Sequence, residues 1–164
     1  MSTFTTSNVR RSRGFSVVEL IISISIVAIL ASIAVPSMTS IMTRHHVQDA
    51  TSDLFAALLK ARAEALMING DVNVTPIHGD WAEGWRVPDP THAGQYFDVH
   101  EPVDSVDIAM SGASSITYQF NGRIRGGTGV RFSLTSSAPG RKTSACVAVD
   151  ASGRPYTQDR PCAG

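Results

Sequence analysis

Two cysteines in 164 residues are too few for a disulfide-built scaffold or a four-cysteine metal centre. No histidine stands at finger-like spacing from either of them. His45, His46, His78, His92 and His100 form no regular ligand pattern, and adjacent helical histidines point in different directions, so all five read as solvated surface. No serine sits in a nucleophile elbow, and Gly126–Gly127–Thr128–Gly129 lacks the lysine of a phosphate-cradling loop. Internal repeats and low-complexity tracts are also missing. These absences leave no catalytic residue, no metal ligand and no implied cofactor, and the expectation is a protein that is not an enzyme.

Charge is scarce in one place above all. From Phe15 to Val35, 21 residues carry a single ionisable side chain, Glu19. About 20 apolar residues span a bilayer as a helix, so this segment is expected to be a membrane helix. Arg10, Arg11 and Arg13 precede it without an acid, and no equally apolar run follows. The positive-inside bias then keeps the N-terminus in the cytoplasm and exports the rest. A cleaved signal peptide would share the basic start, but its apolar core is about 7–15 residues and ends at a cleavage site. Here the run passes directly into an amphipathic helical pattern.

A buried acid costs on the order of 2–3 kcal/mol at the bilayer centre and calls for a partner. The run contains no cation. Cleavage between Gly14 and Phe15 would create an α-amine four residues before Glu19, on the same helical face.

From Ile41 to Ile68, the positions Val47, Ala50, Leu54, Leu58, Ala61, Ala65 and Ile68 recur at steps of three and four, with Phe55, Leu59 and Leu66 widening the stripe. Asn69–Gly70 supplies a stop. A helix from Phe15 to Ile68 would extend about 80 Å at 1.5 Å per residue, with a kink or loosening at Pro36. After Gly70, short β-branched and aromatic runs alternate with Gly, Pro, Asp and Ser clusters, which predicts antiparallel strands. "PDPTHAG" and Glu101–Ala113 read as loops, and "TSSAPGRKTS" as a hairpin connection. The fold class is α+β: a long N-terminal helix, half membrane and half amphipathic, packed against a C-terminal antiparallel β-sheet domain.

"RGFSVVEL", with the Gly14–Phe15 junction, Glu19, the apolar helix and Pro36, resembles the leader and N-terminal helix of type IV pilins and type II secretion pseudopilins. "LLKARAEALMINGDVNV", "GDWAEGWRV" with Trp81 and Trp85, and "CVAVDASGRPY" are similar to segments of the subgroup containing FimT/FimU-type minor pilins and GspH. The tryptophans read as packing groups rather than a ligand site. The resemblance implies a leader at 1–14 removed by a prepilin peptidase, methylation of Phe15, a transmembrane and assembly helix at 15–40, and a periplasmic pilin-like domain at 41–164. It also implies that Glu19 meets the terminal amine of a neighbouring subunit. The expected location is the inner membrane, single-pass, and then the filament. The implied partners are other minor and major pilins, the peptidase and the inner-membrane assembly platform. The function implied is that of a minor pilin in the tip or the assembly-initiating complex of a type IV pilus. A GspH-type secretion pseudopilin is the alternative.

An oxidising periplasm favours a disulfide between Cys146 and Cys162, 16 positions apart, and closing such a loop stabilises by roughly 3 kcal/mol. Without the leader arginines, 11 basic side chains face 14 acidic ones, yet residues 123–164 carry seven bases against Asp150 and Asp159. Arg141, Lys142, Arg154 and Arg160 are therefore candidate DNA-phosphate contacts. Some FimT-like proteins bind DNA through a Gly-Arg-x-Arg motif. Gly153–Arg154–Pro155–Tyr156 matches only its first half, so the favoured reading of this stretch is a strand turn whose arginines pair with neighbouring acids.

Overall fold

The computed structural model describes residues 15–138 and 142–162, without the side chains of 33–37, 39 and 40. One helix, α1 (Val17–Met67), precedes eight strands: β1 (Val72–Ile77), β2 (Asp80–Pro88), β3 (Tyr96–His100), β4 (Val106–Ser111), β5 (Ile116–Tyr118), β6 (Val130–Ser136), β7 (Ser144–Val149) and β8 (Pro155–Gln158). The chain divides into two compact units at Met38–Thr39.

In the first unit the described apolar side chains are exposed. Val17, Val18, Leu20, Ile21 and Ile22 each keep more than half of their surface exposed, and successive helical positions point about 100° apart, so exposure runs around every side of this stretch. The described side chains of this apolar stretch end at Ser32. Among the described residues no helix is long and apolar enough to cross a membrane.

The second unit holds the core. Val47, Ala50, Leu54, Leu58, Ala61 and Ala65 are buried along the expected stripe of α1. Ala57 joins them, while Leu59 and Leu66 remain exposed, so the buried stripe is narrower than the sequence pattern suggests. The reason is side-chain size. Ala50, Ala57, Ala61 and Ala65 let the sheets approach the helix axis, and Leu59 and Leu66 fall on its outer flank. The helix closes on Asn69 in the left-handed conformation (φ 51°), with the Gly70 amide donating to the Ala65 carbonyl at 3.2 Å. That six-to-one bond is a Schellman close, with asparagine rather than glycine in the left-handed position.

Two four-stranded antiparallel sheets cover the helix, in the orders β3-β2-β1-β5 and β4-β6-β7-β8. β1 turns into β2 through His78–Gly79, both at positive φ, as a two-residue hairpin of the primed type demands. Trp81 of β2 meets Phe132 of β6 edge-on, with ring centroids 4.8 Å apart, which ties the sheets together through the core. Glu101–Ala113, expected as a loop, contains β4, which pairs with β6 over its full length. "VDIAMS" does alternate, with Val106 and Ile108 buried and Asp107 and Ala109 exposed. Its flanking Pro, Asp, Gly and Ser residues hide that signal.

Candidate functional site

Ser16 opens α1, its carbonyl accepting the Leu20 amide at 3.1 Å, and Glu19 lies in the first turn. Among the described residues the Glu19 carboxylate has no hydrogen-bond or ion-pair partner, while its backbone carbonyl accepts the Ser23 hydroxyl at 2.7 Å. Phe15, just ahead of the helix, is 80% exposed. The segment thus presents one carboxylate within an apolar surface that no other described residue covers. Arg10, Arg11, Arg13 and Gly14 lie outside the described residues.

At the other end of the chain, Cys146 of β7 is joined to Cys162 by a disulfide, with Cα atoms 5.0 Å apart. The bond holds the tail beyond β8 against the sheet. Cys162 Sγ comes within 3.3 Å of the Phe132 carbonyl, a packing contact, because a disulfide sulfur carries no hydrogen to donate.

The candidate phosphate contacts do not converge. Arg141 lies outside the described residues. Lys142 precedes β7 and Arg160 follows β8, at one end of that hairpin, whereas Arg154 occupies the turn at the opposite end. The length of β7 separates them by roughly 20 Å. Arg154 Nε lies 3.6 Å from the Asp150 carboxylate, and Arg160 Nε donates to Gln158 Oε1 at 3.2 Å.

Asp150 organises the Arg154 turn. Its Oδ1 accepts the Ser152 hydroxyl, the Ser152 amide at 2.8 Å and the Arg154 amide at 3.1 Å. The Ser152 hydroxyl, then the Arg154 amide, hold its carboxyl below the ordinary range, against the desolvation that opposes them. Gly153 has φ 81° and faces the Gly122 carbonyl so closely that a Cβ there would also sit 3.0 Å from the Gly122 carbonyl carbon and 3.1 Å from Arg123 Cα. Arg62 of α1 donates its Nε to the same Gly122 oxygen at 3.0 Å. The first residue of the Gly-Arg-Pro-Tyr stretch is therefore a packing contact that locks the β7–β8 turn, the Gly122 turn and the helix together. Burial pushes the Tyr118 phenol above its ordinary range, and the Arg62 guanidinium opposes that shift.

Sequence reasoning misses one histidine. His100 stacks on Trp85, with centroids 4.1 Å apart and planes 14° from parallel. Its Nδ1 lies 2.7 Å from the Glu101 carbonyl, and its Nε2 lies 3.1 Å from the carboxylate of Asp53 on α1. Gly84, at φ 98°, allows the backbone of His100 and Glu101 to come this close. The "EGWR" sequence beside an aromatic-containing strand was the only available signal. His45, His46, His78 and His92 are exposed, as expected, and His78 and His92 bond to Glu83 and Asp89. Trp81 and Trp85 are buried in the core. Among the described residues no group of three or more His, Cys, Asp or Glu is placed to hold a metal ion.

A helix backing two antiparallel sheets, led by an exposed apolar segment with one acid in its first turn, is the architecture of a pilin-like protein. Residues 9–35 match the prokaryotic N-terminal methylation motif. More particularly, the chain belongs to the family described as type II transport protein GspH, whose model matches residues 50–153. No curated protein sequence matches the chain. Solved structures sharing its fold include the type IV minor pilin FimU of Pseudomonas aeruginosa (strain PAO1), in two crystal forms. The P21 form is 18% identical, covers 72% of this chain and 90% of that one, and has a TM-score of 0.59. The P65 form is 17% identical, covers 68% and 91%, and scores 0.58. The minor pseudopilin EpsH from the type 2 secretion system of Vibrio cholerae is 11% identical, covers 70% and 97%, and scores 0.53. The chain is thus of the minor pilin and pseudopilin kind.

Proposed function

We propose that the protein is a minor pilin, a non-catalytic structural subunit in the tip or assembly-initiating complex of a type IV pilus. The observation that carries this reading is the helix from Val17 to Leu30, apolar and exposed on every side, with Glu19 in its first turn unpartnered among the described residues. An apolar surface of that extent on a single chain belongs in lipid or against other helices. Cleavage between Gly14 and Phe15 by a prepilin peptidase supplies the α-amine that pairs with Glu19 of a neighbouring subunit. Before assembly, the segment at 15–40 anchors the chain in the inner membrane by a single pass, N-terminus in the cytoplasm, and the domain at 41–164 stands in the periplasm. Other pilins and the inner-membrane assembly platform are its partners.

The GspH family model supports a second reading, a pseudopilin of a type II secretion system. The disulfide-anchored tail favours the pilus. Deleting the gene and scoring twitching motility beside exoprotein secretion separates the two: lost twitching with intact secretion is expected, and lost secretion with normal pili would reject the pilus assignment. DNA capture by the tail has little support, since Lys142 and Arg160 stand at the opposite end of the hairpin from Arg154, whose guanidinium lies beside Asp150.

A further inference from the structure

A groove of about 470 Å³ opens between α1 and the start of β7. Arg44 and Gln48 line it from the helix, Lys142, Thr143 and Ser144 from the strand side, and Asp159 from the segment after β8. Arg44 and Lys142 come from positions about a hundred residues apart in sequence, are both exposed, and make no ion pair among the described residues. Of the eight other described cations of the domain six are engaged: Lys60 with Asp98, Arg125 with Asp71, Arg154 with Asp150, Arg62 with the Gly122 carbonyl, Arg160 with Gln158 and Arg86 over the Tyr96 ring. Arg123 and Arg131 lie elsewhere on the surface. Two cations without an ion pair among the described residues therefore line one concavity edged by an amide and two hydroxyl groups, a donor set that matches a phosphate.

Chain reach fixes where that concavity can be. Ile41, at its margin, is six residues beyond Val35, the last residue of the apolar run, so even a fully extended chain holds it within roughly 20 Å of the run's end. In a membrane-anchored chain that distance keeps the margin of the groove close to the headgroup layer, which is about 5–8 Å thick on each side.

We propose that the groove between α1 and β7 binds the phosphate of an anionic phospholipid headgroup, with Arg44 and Lys142 as the charge-bearing contacts. The inference rests on the membrane anchoring proposed above. An anionic lipid surface draws juxtamembrane cations toward it, about fivefold for each at a cytoplasmic leaflet, and anionic lipid in the periplasmic leaflet acts on Arg44 and Lys142 by the same charge attraction. Asp159 opposes the phosphate from within the groove, which sets the sign of a further test: neutralising it strengthens binding.

The experiment uses the full mature chain and vesicles of pure phosphatidylcholine or of phosphatidylcholine with one-third phosphatidylglycerol. Co-flotation on pure phosphatidylcholine tests the anchoring itself, and a chain that stays in solution there overturns both the anchoring and the groove assignment. For chain purified in detergent, native mass spectrometry then counts retained lipids. Phosphatidylglycerol is expected to be retained roughly tenfold more tightly than phosphatidylcholine. Arg44→Gln with Lys142→Gln abolishes the preference and Asp159→Asn raises it, whereas Arg131→Gln leaves it unchanged, Arg131 lying at the far end of the β6–β7 hairpin without an ion pair among the described residues. Equal retention of both lipids by a chain that floats, an unaffected double variant, or an Arg131 effect as large as that of the pair overturns the groove assignment alone. Saturation by inorganic phosphate that displaces the lipid equally well at the same concentration overturns the lipid source in favour of free phosphate.

Discussion

Gly153 lies against the carbonyl group of Gly122 so tightly that no side chain fits between them. Gly94 has the same φ, 81°, but open space around it. The two glycines separate backbone strain from steric exclusion. Gly94→Ala meets only the left-handed strain, about 1–2 kcal/mol. Gly153→Ala meets that strain and must also part the two turns, breaking the Arg62 contact, and is expected to cost about 3–5 kcal/mol. Thermal unfolding of the two variants side by side measures the difference; equal midpoints would contradict it.

The Cys146–Cys162 bond closes the tail onto β7, so replacing either cysteine with serine is expected to lower stability by roughly 2–5 kcal/mol. Denaturant titration with and without reductant checks this. The wild type should fall to the level of the variants on reduction, and the variants should not respond.

Glu19→Ala removes the one charge in the exposed apolar helix. Membrane insertion should improve slightly or stay the same, because an acid in lipid is costly. Incorporation into filaments should drop at least tenfold if Glu19 pairs with a neighbour's α-amine as proposed. Quantifying the subunit in sheared pili against whole-cell levels tests the idea, and normal incorporation defeats it.

Asp89 contributes to the acid limb of the stability curve, beside Asp150. The Thr91 hydroxyl at 2.6 Å and amide at 2.7 Å, together with His92 at 2.9 Å, hold its carboxyl down at about 2 against an ordinary 3.8. The Thr91 hydroxyl is the largest cause. A depressed carboxyl stabilises the folded state above the unfolded value, so this contribution is complete above about pH 4 and disappears as pH falls toward 2. Thr91→Ala is expected to move the Asp89 titration upward in NMR, and Asp89→Asn to make the fall of the midpoint between about pH 4 and 2 shallower, with the share due to Asp150 remaining.

Much of this molecule was legible in its sequence. The apolar run, the three-and-four stripe of α1 and the Cys146–Cys162 pair each announce themselves through a single dominant force: burial, helical period and chain closure. β4 was not legible, because its alternation is six residues long and sits among loop formers. Leu59 and Leu66 look like core by hydropathy, and only the alanines facing the sheets show why they are left outside. His100 and Gly153 depend on partners far away in sequence, Asp53 and Gly122, and no local pattern carries that information. The same is true of the groove that gathers Arg44 and Lys142.

The order of the strands has a kinetic consequence. The chain leaves the first sheet after β3, lays β4 into the second, returns to place β5 beside β1, and leaves again for β6. Neither sheet is complete while the other is missing, since the Val72–Tyr118 pairing spans a stretch whose middle already belongs to the partner sheet. Such interleaving forces long loops to close before most pairings reward them, which slows folding and favours all-or-none behaviour. A protease that nicks the domain should therefore release no stable half: the sheets are gained and lost together.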